Sequence, residues 1–342
     1  MTSAAWASVV IVAYNSGQLL QQCLDALAVQ TMGEFEAIIV DNASTDGSLE
    51  RLRLPDRRFR LVPAGANLGF AAGSNLGIRE SCAPWIATLN PDALPAPGWL
   101  AALRQATQRH PHIAMFGSTQ VDAVNPGRLD GCGDAYSFLG IAWRGRYGHP
   151  VEAVPPEGEA FAPCAAAALY RRDVLETVGG FDEAFFCYCE DVDLAFRIRL
   201  HGGRCVQVPD AVVHHVGSAM TGPESHFTLY HSARNRVWLM VKNLPLVLLV
   251  PLLPVHLTYM ALTLWRHPRG NSNYFSATLA GLRAAFSDIG PVLQARRDIQ
   301  KRRKVSAVAV ARMLCWNPRK LWRCDADIRP IVAAKGSEPA TG

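Results

Sequence analysis

Residues 8–48 read SVVIVAYNSGQLLQQCLDALAVQTMGEFEAIIVDNASTDGS, and two features of this stretch decide the fold. Ser8 to Ala13 is a short continuous apolar run, the pattern of a strand buried on both faces. Asn15-Ser16-Gly17 supplies a turn, and Leu19, Leu20, Cys23, Leu24 and Leu27 then fall at helical spacing. Phe35 to Val40 is a second apolar run, ending at Asp41. Strand, helix and strand in this rhythm call for a mostly parallel sheet with helices on both faces.

Working outward, Ser44 or Thr45 can cap a helix that carries Leu49 and Leu52. Arg60 to Val62 reads as a third strand, and Asn67 to Gly77 as a glycine-rich loop that opens a helix. Trp85 to Leu89 is a strand closed by Asn90-Pro91-Asp92, followed by a helix over 97–109 and a strand from Ile113 to Gly117. Between Val121 and Pro163 the rhythm fails, and this Gly-, Pro- and aromatic-rich segment predicts loops and antiparallel strand over the sheet's edge. Ala165 to Tyr170 resumes as a strand, with helices over Arg172 to Val178 and Asp191 to Leu200. The fold class is therefore α/β.

Composition narrows the function. A formal net charge of +5, with 49% hydrophobic and 18% charged residues, leaves no global excess of charge to recruit a polyanion. Nine scattered cysteines without a C-x-x-C pair point to reduced thiols in the cytoplasm. The apolar N-terminus has no preceding basic residues and runs straight into the Tyr14-Asn15-Ser16 turn, so it reads as a first strand and not a signal peptide. Neither G-x-G-x-x-G after the first strand nor G-x-x-x-x-G-K-[ST] occurs, which counts against dinucleotide-binding and P-loop folds.

Chemistry concentrates at strand ends and in residues 179–218, GGFDEAFFCYCEDVDLAFRIRLHGGRCVQVPDAVVHHVGS. Ligands of open parallel sheets bind at the carboxyl ends of strands, which places Asp41 to accept from a ring or ribose and Asp92 to meet a phosphate-bound cation. The turn beginning at Asn67 would let backbone approach a phosphate. Glu190 and Asp191 open a helix, where the dipole favours them by about 0.3–1 kcal/mol. The aromatic stretch Phe185 to Cys189 before them would desolvate a carboxylate and raise its proton affinity toward that of a general base. Asp193 pairs with Arg197 one turn on and serves as scaffold. His214 and His215 follow a strand-like segment, and either imidazole can complete a cation site.

After Ser218 the character changes. Leu244 to Trp265 runs without acidic or basic residues, His256 aside, long enough for a membrane-spanning helix of about 20 residues. Pro245, Pro251 and Pro254 interrupt it. Three readings follow, in order: an amphipathic or re-entrant segment in the membrane face, a single span, or a proline-broken hairpin packed on the catalytic domain. Arg234, Arg236 and Lys242 precede the run, and Arg266 and Arg269 follow it. Six of the nine residues from Arg296 to Lys304 are basic, an attraction to anionic lipid of about 1 kcal/mol per residue. Aromatics are not interleaved with them, so nucleic acid is not an expected partner.

The motifs SVVIVAYNS, VDNASTDGS, NLGFAAGSN, LNPDA, GGFDEAFFCYCEDVDLAFR and HHVGS, in this order over residues 6–245, resemble the GT-A-fold family 2 glycosyltransferases, the rhamnosyltransferase-like enzymes of bacterial cell-surface polysaccharide synthesis in particular. The resemblance implies a GT-A catalytic domain over residues 1–225, with a nucleotide-binding half (1–118) and an acceptor and catalytic half (119–225). Residues 226–342 would form a helical, membrane-associating region. It implies inverting transfer from a nucleotide-diphosphate sugar, with dTDP-rhamnose a candidate donor, to a glycan or lipid-linked glycan, assisted by Mg²⁺ or Mn²⁺. Carried onto this chain, Tyr14, Asn15, Asp41, Asn67 and Asn90 fall on the nucleotide-sugar side and Asp191 matches the general base. Asp92 and His215 match the metal ligands, with Asn90 where the family's metal motif has its first carboxylate. Arg234, from a late Arg-Asn pair, falls near the diphosphate. The implied location is cytoplasmic, peripheral to the inner face of the cell membrane. Two other classes stay open: a nucleotidyltransferase, which would want a basic, glycine-rich loop where Asn15-Ser16-Gly17-Gln18 stands, and a membrane-tethered sugar-binding scaffold.

Overall fold

The computed structural model describes residues 5–217, 225–266 and 272–331; Ser218, Arg269 and the side chain of Arg266 lie outside them. The first apolar run forms β1 (Ala7–Ala13), every residue buried, followed by α1 (Gly17–Ala28), which turns Leu20, Cys23, Leu24 and Leu27 into the core. Then come β2 (Phe35–Asp41), β3 (Phe59–Pro63), α2 (Gly69–Arg79) and β4 (Trp85–Leu89). After β5 (Ala93–Pro95), α3 (Trp99–Arg109) and β6 (Met115–Asp122), the chain makes the short strands β7 (Leu129–Cys132), β8 (Asp134–Tyr136), β9 (Ala142–Arg144) and β10 (Gly158–Ala160). It re-enters the sheet as β11 (Ala167–Arg171), and α4 (Arg172–Val178), α5 (Glu190–Leu200) and β12 (Cys205–His215) complete it.

The sheet order is β10-β12-β6-β11-β4-β1-β2-β3. β1 pairs in parallel with both β2 and β4, β2 with β3, and β12 with β6. β11 runs antiparallel between β4 and β6, so the sheet is mainly but not wholly parallel. As expected, the segment between Val121 and Pro163 gives antiparallel pieces: β7 on β6, β8 on β9, and β10 on β12.

Two expectations fail locally, each for a physical reason. No helix forms around Leu49 and Leu52; residues 42–51 are turn and coil. The Asp46 carboxylate folds back on the N–H and hydroxyl of Ser48, and Gly47 sits at φ +71°, a local hydrogen-bonded turn that competes with helix. The glycine-rich stretch expected as a loop is instead α2 itself. Its glycines permit close packing on β1, since a Cβ at Gly77 would stand 2.4 Å from Val10 and one at Gly73 2.8 Å from Val12.

C-terminal to the sheet lie α6 (His226–Asn243), α7 (Leu246–Arg266), α8 (Ser272–Ser287), α9 (Ile289–Arg302), α10 (Ala307–Met313) and α11 (Pro318–Trp322). They share one hydrophobic cluster with the sheet's α2 and α5 face, running from Val10 through Phe196 and Trp238 to Leu314. α7 is one continuous helix, and Pro251 and Pro254 lie inside it without dividing it. Its twenty residues Leu246–Trp265 are long and apolar enough to cross a membrane. Arg296, expected among lipid-facing cations, donates to the carbonyls of Val241 and Leu244 and closes the C-terminus of α6. Arg329 pairs backbone to backbone with Glu159 of β10, covering that edge of the sheet.

Candidate active site

The carboxyl ends of β1, β2 and β4 open onto one rim. At the end of β1, Asn15 takes a left-handed φ of +49°, and its side-chain oxygen accepts from the Thr45 N–H at 2.7 Å. Tyr14 beside it is 39% exposed. Asp41, half-buried at the end of β2, accepts from the Ser44 N–H at 2.9 Å and keeps its other oxygen available. Asn42, a residue the motif reading passed over, is buried and ties the rim together: its amide spans from the Leu68 N–H (2.9 Å) to the Asn67 side chain (3.0 Å) and the Gly69 carbonyl (3.2 Å). Asn67 itself is exposed and caps the Gly69 N–H.

At the end of β4 the structure brings together residues remote in sequence. Asp92 is buried, and its Oδ1 has no hydrogen bond among the described residues; it lies 3.4 Å from His215 Nε2. The Asn90 amide nitrogen is also 3.4 Å from that ring nitrogen. His215 Nδ1 meets Asp130 Oδ2 at 2.7 Å, and Arg144 reaches the same carboxylate. Burial alone would depress the proton affinity of His215, but Asp130 and Asp92 override it and raise its pKa to about 9. Strand alternation puts His214 on the opposite side of β12, half-buried, so His215 is the imidazole that faces Asp92.

Asp191 stands in the first turn of α5. Its oxygens accept from its neighbour's N–H, Val192, at 2.8 Å and from Ala165 N–H at 3.1 Å. Burial pushes its carboxyl up, and those N–H bonds and Arg144 pull against the shift. The next residue, Ala166, accepts from Asn90 N–H at 2.9 Å, so two residues of chain join the Asp191 carboxylate to Asn90, whose side chain lies against His215. Asp193, two residues on, is fully buried and fully engaged: Arg197 donates at 2.7 Å, Lys242 at 2.8 Å and Asn243 at 2.7 Å. Burial would raise its carboxyl, but Lys242 and Arg197 hold it below the ordinary range.

The loop leading into α5 is strained. Phe186, Tyr188 and Cys189 all adopt left-handed φ, between +63° and +69°, costly for side chains with a Cβ. Asn235, fully buried on α6, donates to the carbonyls of Phe185 (3.0 Å), Cys187 (2.9 Å) and Tyr188 (2.7 Å) and so over-determines the loop. Arg234, expected at a diphosphate, is engaged elsewhere. It bonds the Asn235 side chain and the carbonyls of Ala184 and Phe185, and lies 4.3 Å over the Trp238 ring. The sequence reading passed over Asp130 and named Asn235 only as the neighbour of Arg234. The aspartates of LDGCGD were a readable signal for the first, whereas nothing in sequence spacing ties Asn235 to the loop.

The sheet rim thus carries a carboxylate and imidazole at β4 and β12, groups able to hold a cation, and a second carboxylate at the mouth of α5, able to accept a proton. Residues 8–179 match the family model Glycosyl transferase family 2, and the chain belongs to that family. It is a glycosyltransferase of rhamnosyltransferase-like type. It is 32% identical over 254 residues to the N-acetylglucosaminyl-diphospho-decaprenol L-rhamnosyltransferase of Mycobacterium tuberculosis, covering 66% of this chain and 81% of that protein. Among solved structures, the mannosyltransferase PcManGT from Pyrobaculum calidifontis, in complex with GDP-Man and Mn²⁺, matches with a TM-score of 0.54 and 20% identity over 94% of this chain and 84% of that one. GalNAc-T7 with UDP, GalNAc and Mn²⁺ matches with a TM-score of 0.60 and 15% identity, over 88% of this chain and 55% of that one. These neighbours share the GT-A fold.

Proposed function

We propose that this chain transfers a deoxyhexose or hexose, L-rhamnose first among candidates, from a nucleotide-diphosphate donor to a lipid-linked glycan, with inversion at the anomeric carbon. The observation that carries this reading is the state of Asp191: a desolvated carboxylate at a helix mouth, bonded among the described residues by backbone N–H groups, on a segment whose next residue, Ala166, accepts from the Asn90 N–H. The acceptor hydroxyl oxygen attacks the anomeric carbon and its proton passes to Asp191. A carbon–oxygen bond forms, and the bond to the diphosphate breaks with its electron pair leaving on the nucleoside diphosphate.

The donor set at β4 and β12 fits a divalent cation. Asp92 Oδ1 is buried, has no hydrogen bond among the described residues and faces His215 Nε2, which would give up its proton to take the ion while Nδ1–H stays donated to Asp130. Asp92 and His215 would hold Mg²⁺ or Mn²⁺, and the ion when bound supplies positive charge to the departing diphosphate. Asp41, with Tyr14, Asn15 and Asn67 around it, would take the base and ribose. Asn90 would orient the sugar side.

The helical region would hold the enzyme at the inner face of the cell membrane, where a lipid-linked acceptor is found. Leu246, Val247, Val250, Leu262 and Trp265 on α7 are exposed, and Arg297, Lys301, Arg302 and Lys304 stand exposed at the end of α9 and just beyond. Two such signals together suit stable peripheral anchoring.

The test is transfer from a panel of nucleotide sugars to a polyprenyl-diphosphate-linked acceptor with Mn²⁺, using wild type and Asp191→Asn. Turnover with one donor, lost in the variant while nucleoside diphosphate still binds by calorimetry, is expected. Retained turnover in the variant would place the base elsewhere. Flotation with anionic vesicles is expected for the full chain and tests the membrane surface separately.

A further inference from the structure

The mouth of α5 holds a second carboxyl that the reaction as described does not use. Asp134, on β8, is 6% exposed, and its Oδ1 has no hydrogen-bond partner among the described residues. Its carboxyl, the Cys164 thiol and the Asp191 carboxyl each offer one atom, all within 4.8 Å of one another. The spacing is built in. Asp134 exchanges backbone hydrogen bonds with Ala162, at 2.8 Å and 3.1 Å, and three residues later Ala165 N–H holds Asp191, so one short segment fixes both carboxyls.

Two ionised carboxylates this close and out of water cannot both persist; one keeps a proton. The surroundings decide which. Asp191 has two backbone N–H donors and the positive end of α5, all of which favour its charge. Asp134 Oδ1 has none of these. Arg144, opposite Asp134 in the β8–β9 pair, is drawn to Asp130. The other titratable groups near Asp134 are Cys132, Cys164, Tyr170 and Cys205, whose protons burial holds in place. Consistently, burial and then the charge of Asp191 push the Asp134 carboxyl well above the ordinary range.

We propose that Asp134 works as a neutral carboxylic acid beside the ionised Asp191, presenting its O–H to an oxygen of the acceptor sugar while Asp191 receives the attacking hydroxyl's proton. The pair holds one proton before attack and two after it, the second being the acceptor's. This inference rests on Asp191 acting as the base.

Asp134→Asn and Asp134→Ala, measured in the full-length enzyme beside Asp191→Asn, decide it. The carboxamide is isosteric, permanently neutral and still a donor, so D134N is expected to cost only a few-fold in kcat. It should leave the acceptor KM and the acid limb of the kcat/KM profile where wild type has them. D134A is expected to raise the acceptor KM at least tenfold with donor KM unchanged. If D134N fails as badly as D134A, or moves the acid limb a full unit downward, Asp134 acts as an anion and the proposal is wrong. An unaltered acceptor KM in D134A overturns it too. Nucleotide affinity by calorimetry reports whether D134A folds; where it does not, the D134N acid limb decides alone. An active D191N would instead refute the base assignment, a separable result.

Discussion

The strand-end rim of β1, β2 and β4 and the mouth of α5 place their functional groups by different means. At the rim, position is a by-product of the sheet: a strand stops and its next side chain faces the opening, as Asp41 does, held by one neighbouring N–H. At α5 the chain has to be bent into place through three left-handed residues, and α6 supplies the hydrogen bonds that keep it there. Parallel strand ends deliver ligand positions with little stored strain. A base that must be desolvated and aimed needs support from a different part of the chain.

The comparison can be broken in order of effect. Asp191→Asn is expected to cut kcat by about 10²–10⁴ with nucleotide affinity unchanged. In wild type the acid limb of kcat/KM should lie above the usual carboxylate value of about 4, because burial raises this group and the base must be ionised to work. A limb at or below that value counts against it. Asp193→Asn, two residues along, is expected to act on stability instead, by about 3 kcal/mol in denaturant titration, since it removes the buried carboxylate that Arg197 and Lys242 share and leaves Lys242 with Asp182 alone. Its folded-state proton affinity is depressed, so the stability it contributes is complete above the unfolded value near 3.9 and disappears as pH falls through the lower folded value. If D193N unfolds at the wild-type denaturant midpoint, the two aspartates do not divide the work in this way.

Asn235→Ala falls between these. Three carbonyls lose their donor, at about 1–3 kcal/mol for each left unsatisfied. With the loop released, kcat should fall further than donor KM rises; a pure stability loss with normal kcat would make Asn235 structural only. Asp130→Asn weakens the hold on His215 Nδ1 and is expected to cost about 10- to 100-fold in Mn²⁺ affinity, read by metal titration of activity and of protein fluorescence. Smallest is Asp41→Ala, an expected loss of about tenfold or less in nucleoside diphosphate affinity by calorimetry, since one hydrogen bond to a charged group carries about 1.5 kcal/mol.

The same contrast governs how much was legible in the sequence. β1, β2, β4, α1 and α4 follow from runs and periods because their burial is local and repetitive. Asp41 and Asp92 follow from strand ends, and His215 from its neighbours in the motif. The turn at Asp46 was not legible, because a side chain folding onto Ser48 outcompeted a helix with adequate leucine spacing. Nor was the helical state of residues 69–79, where tolerance for glycine comes from Val10 and Val12 on another element. The continuity of α7 through Pro251 and Pro254 likewise escaped a rule drawn from isolated helices. Asp130, Asp134 and Asn235 meet His215, Asp191 and Tyr188 across 47 to 85 positions of chain, and no periodicity encodes such pairings.

The backbone exchange between Arg329 and Glu159 has a practical consequence. β10 is the last strand on its side of the sheet, and uncovered terminal strands recruit other chains as extra strands. Expression clones shortened ahead of residue 326 would leave that flank bare, and self-association in light scattering, with catalytic chemistry otherwise intact, would mark the tail as a shield against aggregation.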